Sequence, residues 1–185
     1  MKSPSVPTLV VIDAQREYTT PGRPFNLAGI EPSLRNCGRI LEHARKAGWT
    51  VIHVQHCQDG QIFGRDSEYV DWIPGYEPIS GERVIVKSAL SAYTNPGFDT
   101  ALAAAGSSVA FVIGYGSTMC CLATMVDGAL FGRRFTFVHD ASWARAAGPG
   151  FSEADTHRYA TAILGIHAKL TTTDELLQAS FEQAA

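Results

Sequence analysis

The sequence predicts an α/β protein built on a doubly wound, three-layer sheet of about six mostly parallel strands. Three observations carry that prediction. Short apolar runs alternate with longer helical patterns along the chain. Most of the runs are apolar without interruption, as strands covered on both faces must be. A glycine recurs between a helical pattern and the strand after it, where a left-handed residue closes a helix.

In chain order, the expected strands are Leu9–Asp13, Thr50–Gln55, Arg83–Lys87, Val109–Gly114, Phe135–His139 and Ala168–Thr171. The helices between them open at Glu31-Pro32-Ser33, at Asn95-Pro96, at Ser117-Thr118, at Ser152 with Asp155 three residues on, and at Thr173 with Asp174-Glu175. Gly48, Gly106, Gly132 and Gly165 are the expected closing glycines. The segment from Gln58 to Glu82 has no period and is longer than most connections, so it is expected to cover a pocket or to reach a neighbouring subunit. Ligands of a doubly wound sheet bind beyond the carboxyl ends of its strands, and function is sought there.

Composition narrows the function. A chain of 185 residues fits one domain, residues 1–185, and excludes two large ones. With 45% hydrophobic and 18% charged residues it can bury a core and is not a disordered tail. Fifteen Lys and Arg against 18 Asp and Glu, with no basic run, give little basis for holding a nucleic acid. The opening MKSPSVP is too polar for a signal peptide, and no apolar run reaches the roughly 18 residues that span a bilayer. A cytoplasmic protein with no membrane or nucleic-acid partner is expected. The four cysteines, Cys37, Cys57, Cys120 and Cys121, show no paired metal spacing and read as free thiols.

Three ionisable residues stand where strands stop: Asp13 closes TLVVID, Lys87 closes RVIVK, and Cys120 follows the fourth strand at a helix start. Each has a plain reading alone, as a turn carboxylate, a lysine with its head in water, or an inert buried thiol. Together they are the parts of nucleophilic catalysis. A thiol needs a base to take its proton, a cation to hold the charge that results, and backbone donors where an oxyanion develops. The turn at Gly114-Tyr115-Gly116 can aim amides inward, which makes the N–H groups of Gly116 and Cys120 the candidate oxyanion hole.

The segments VVIDAQREY, VIVKSALSAY and VIGYGSTMCCLATMVDGALFGRRFTFVHDAS resemble the isochorismatase-like cysteine hydrolases, a superfamily that includes nicotinamidases and other small amidases. The likeness covers nearly the whole chain. Its most specific part is the spacing of Gly114, Ser117, Cys120 and Thr124, joined by HDAS at 139–142 and the closing TTTDELL. The resemblance implies a Rossmann-like fold and an Asp13, Lys87, Cys120 triad. It also implies a cis peptide between Tyr115 and Gly116, and assembly as a homodimer or homotetramer. In that scheme Asp13 takes the proton of Cys120, Lys87 stabilises the thiolate, and an acyl-enzyme forms and is hydrolysed. Cys121, turned about 100° away on the same helix, is the residue not chosen.

Nicotinamidases of the superfamily hold a metal with an Asp-x-His after the second strand and a further His. Here VIHVQHCQDG puts His56 at the Asp position and Gln58 at the first His position, so no metal and no cofactor is expected. His53 and His56 are expected to share a face. The pocket candidates are Gln15, Tyr18, Tyr93 and Tyr115, with Trp72 and Trp143 also near the loops, and Arg16, Arg65 or Arg145 as possible carboxylate contacts. The expected activity is cleavage of the C–N bond of a small carboxamide or ureido substrate. Two alternatives stand beside it: an isochorismatase-type vinyl-ether hydrolase, which in the family lacks the cysteine, and a non-catalytic binding protein on the same fold. VAFVIGYGSTMCC also imitates a dinucleotide fingerprint, but the third glycine would fall on Met119, whose side chain obstructs the close packing that glycine allows.

Overall fold

The computed structural model describes residues 6–179 and 181. Its one six-stranded sheet has the order β3-β2-β1-β4-β5-β6, with every pairing parallel. The strands are β1 (Thr8–Ile12), β2 (Thr50–His56), β3 (Arg83–Lys87), β4 (Ala110–Tyr115), β5 (Phe135–Trp143) and β6 (Lys169–Thr171). The helices are α1 (Glu31–Lys46), α2 (Gly97–Ala105), α3 (Leu122–Leu130), α4 (Glu153–His167) and α5 (Thr173–Gln178). The doubly wound reading therefore describes the molecule. The chain runs outward from β1 to β3, returns to β4, and runs outward again.

Alternation along β1 divides the core. Leu9 and Val11 pack on one face against Cys37, Ile40 and Leu41 of α1 and Leu176 of α5. Val10 and Ile12 pack on the other against Phe98 of α2, Met125 of α3 and Leu164 of α4. Both faces of the central strands are covered, which is why their sequences are apolar throughout.

The differences from expectation have local causes. β5 runs on through Trp143, so HDAS lies inside a strand, and its pairing with β4 slips between Val112 and Gly114. Gly165 lies within α4 and closes nothing, because the helix continues to His167. A Cβ there would come within 3.1 Å of Leu170, so this glycine makes room for the edge strand. The cap of α5 is Thr172, paired with Glu175 in a reciprocal capping box, while Thr173 turns its hydroxyl to Asp140 (2.8 Å). The segment from 58 to 82 has a single helical turn, Glu68–Val70. It folds back over the carboxyl ends of β1 and β2, with Arg16 N–H bonded to Asp71 O and Ile73 N–H to Ala14 O (both 2.9 Å).

Candidate active site

β1 ends at Ile12, and Asp13 turns out of the strand with φ 49°, a conformation that Asp tolerates better than most residues. Lys87 closes β3. Beyond β4 the chain makes a cis peptide between Tyr115 and Gly116, then a π-helical turn, Ser117–Cys121, that leads into α3. Gly114 permits this passage. It has φ 109°, and a Cβ would stand 2.0 Å from Ile12 O.

These elements bring Asp13, Lys87 and Cys120 together. Lys87 Nζ donates to Asp13 Oδ2 (2.9 Å) and to Cys120 Sγ (3.2 Å). All three residues are at most 4% exposed. Burial works against the lysine's charge, but Asp13 and Cys120 outweigh it and hold the ammonium above its usual pKa. Burial, reinforced by the Asp13 charge, pushes the Cys120 thiol well up, with Lys87 pulling it back. The protonated thiol is thereby favoured. Asp13 Oδ1 is buried and, among the described residues, has no hydrogen-bond partner.

His56 is a site residue that the sequence reading passed over. It stands three positions after His53, an odd offset, so the two rings lie on opposite faces of β2, not on a shared one. His53 meets Glu82 (2.8 Å), whereas His56 Nδ1 lies 2.9 Å from Lys87 Nζ. The signal was present in the sequence: Ile52, Val54 and His56 alternate onto one face, and the register sets His56 beside Lys87.

A metal does not fit these residues. Donor atoms of Asp13, His56 and Cys120 lie within 4.8 Å of one another, but Lys87 Nζ is within hydrogen-bond distance of all three and fills the space between them. The positions of the nicotinamidase Asp-x-His hold His56 and Gln58, which are bonded to each other (3.0 Å).

The pocket candidates divide. Tyr18 lies beside the cysteine loop, its hydroxyl 3.9 Å from the place of a Cβ on Gly116, and its ring against Phe63 and Tyr115. The other three face elsewhere. Tyr115 follows Phe111 and Ile113 onto the α1 face, fully buried, with its hydroxyl bonded to Ser33 (3.2 Å). Tyr93 stacks on Phe131 (4.5 Å) and aims its hydroxyl at Gly128 of α3. Gln15 spends its amide on backbone: Oε1 accepts from His56 N–H (2.8 Å), and Nε2 donates to His56 O (2.8 Å) and Val70 O (2.6 Å). Trp72 packs on His53, and Trp143 packs on His157 and donates to Glu153. Arg16 and Arg65 already face Glu68 and Asp59, while Arg145 lies over the Phe25 ring.

The cysteine turn is held from outside. His157 of α4 donates from Nε2 to His139 O, which leaves Nδ1 to accept from the Ser117 hydroxyl (both 2.9 Å). Thr124 accepts the Ala92 N–H (3.0 Å) and ties the loop after β3 to α3. The Ser117 and Thr124 positions of the motif are thus fastenings of the turn that carries Cys120.

Comparison with known proteins agrees with this architecture. An isochorismatase domain model matches residues 7–175. An uncharacterized isochorismatase family protein of Bacillus subtilis is 30% identical, covering 92% of this chain and 98% of its own length. The maleamate amidohydrolase of Pseudomonas putida is 27% identical, covering 77% and 75%. The crystal structure of an isochorismatase from Pseudomonas putida superposes with a TM-score of 0.83 at 30% identity, covering 94% of this chain and 91% of that one. A parallel sheet of this order, a buried Asp, Lys and Cys at its carboxyl edge and a domain match along nearly the whole length lead to one assignment: the chain belongs to the isochorismatase family.

Proposed function

We propose that this protein is an amidohydrolase that cleaves the C–N bond of a small carboxamide or ureido substrate through a thioester on Cys120. One observation carries the reading: a buried ammonium joins a carboxylate to a thiol, while the second carboxylate oxygen, Asp13 Oδ1, is unpartnered. As Sγ bonds to the substrate carbonyl, its proton passes to Asp13. The oxyanion that forms is directed at the N–H groups of Gly116 and Cys120, at the start of the turn, where a helix leaves its first donors free. The C–N bond breaks as the nitrogen takes the proton from Asp13, and ammonia or an amine leaves. Asp13 then draws a proton from water, the resulting hydroxide attacks the thioester, and the acid departs as Cys120 recovers its thiol. Lys87 neutralises the sulfur whenever it is charged.

The maleamate amidohydrolase among the relatives supports an amide substrate, and the cysteine speaks against a vinyl ether. On this reading residues 1–185 form one domain that works in the cytoplasm as a homodimer or homotetramer. The test is intact-mass spectrometry with ammonia detection on a panel of small primary amides and ureido compounds. Wild type is expected to show a transient acyl adduct on Cys120 and to release ammonia. Asp13→Asn is expected to lose at least about 10²-fold in rate, the scale of general-base assistance. Full turnover by Cys120→Ala would overturn the mechanism.

A further inference from the structure

An ammonium has three protons, and the mechanism above uses two acceptors for Lys87. The third proton points at His56 Nδ1, 2.9 Å away. Since Nζ has no lone pair, Nδ1 must accept, so the imidazole is neutral and carries its proton on Nε2. That proton has its own acceptor, Gln58 Oε1 (3.0 Å). Gln58 Nε2 in turn donates to Ile62 O (3.0 Å), which fixes which end of the amide faces the ring. The His56 main chain is held on both sides by Gln15, and the Phe63 ring covers the imidazole at 5.0 Å. The charged and titratable groups around the ring are Lys87 from β3, Asp13 from the end of β1 and Cys120 from the turn after β4. Burial and the lysine's charge both favour the neutral ring.

We propose that His56 is a positioning residue: it takes the third proton of Lys87, so that the other two are aimed at Asp13 and Cys120, and Gln58 fixes the tautomer that lets it do so. A lysine head on a flexible stem rotates freely between two acceptors, and a third acceptor arrests it. This rests on the cysteine-hydrolase reading. It adds that the two residues standing at metal-ligand positions of the nicotinamidases here serve a protein cation.

The experiment reads the thiol without any substrate assignment. The rate of Cys120 modification by iodoacetamide, itself a small primary amide, is followed across pH, with peptide mapping to separate it from Cys37, Cys57 and Cys121. His56→Leu is expected to slow Cys120 about ten-fold at a fixed pH and to move the midpoint of the profile upward by about one unit, the scale of one charge-assisted hydrogen bond. His56→Asn, whose Oδ1 replaces Nδ1 as acceptor, is expected to restore both. Gln58→Leu, outside the triad, should shift the profile in the same direction by less, and it serves if His56→Leu does not fold. A wild-type profile in His56→Leu, or His56→Asn as slow as His56→Leu, overturns the positioning role and leaves the hydrolase reading standing. A wild-type Cys120 that iodoacetamide never modifies overturns both.

Discussion

Asp13 leaves its strand in a left-handed conformation, and this one dihedral separates the duties of its two oxygens, one given to Lys87 and one left open. The meeting of Asp13, Lys87 and Cys120 was legible in the sequence because strand ends and a helix start are positions, and apolar runs mark positions well. Side-chain direction was less legible. Tyr115 sits in the cysteine loop by number, yet as the last residue of β4 it follows Phe111 and Ile113 to the far face. Gln15 is two residues from Asp13, and only the fold reveals that its amide closes three backbone bonds. Gln15→Leu is therefore expected to cost about 2–4 kcal/mol in urea unfolding, since it strands buried backbone groups of His56 and Val70. Unchanged stability with a raised KM would instead return Gln15 to the substrate pocket.

The elements show where pattern suffices and where contact decides. Apolar runs located all six strands, and burial on both faces accounts for the central ones, while the edge strands β3 and β6 keep exposed residues. The length of β5 and the end of α4 differ from expectation: β5 pairs with β4 as far as Trp143, and α4 runs past Gly165 to His167, where the glycine leaves room for Leu170. Two glycines show the contrast in energy. Gly48 has φ 68° with no atom within 4 Å of a Cβ, so Gly48→Ala is expected to cost about 1–2 kcal/mol, the strain of the left-handed region alone. Gly114→Ala drives a methyl into the β1 backbone, 2.0 Å from Ile12 O, and should either prevent soluble expression or cost well over twice as much. Thermal unfolding of the two variants checks this, and equal losses would contradict it.

At the scale of the molecule, the order β3-β2-β1-β4-β5-β6 draws residues from three strands to one edge, and the segment from 58 to 82 closes over them. Periodicity predicted the layers. It could not predict the course of that segment, which follows single hydrogen bonds and no repeat. Burial also sets a response to acid. His53, His56 and His157 are each held below the ordinary value of 6.5, first of all by burial. The unfolded chain therefore takes up these protons before the folded one does. Their contribution to stability is complete above 6.5 and is lost as the pH falls below it. Glu82, held down to about 2 against burial by Arg45, the Ile79 N–H and His53, extends the loss between 4.5 and 2. The urea midpoint is expected to decline from about pH 7 to about pH 5, and a flat profile would contradict these assignments. Salt acts on a different set of charges. Mobile ions screen the Arg16–Glu68 pair, whose side chains are 37% and 60% exposed. They act far less on the Asp13–Lys87 pair, with both side chains at 0%, so its attraction depends little on the ionic strength of the surrounding water.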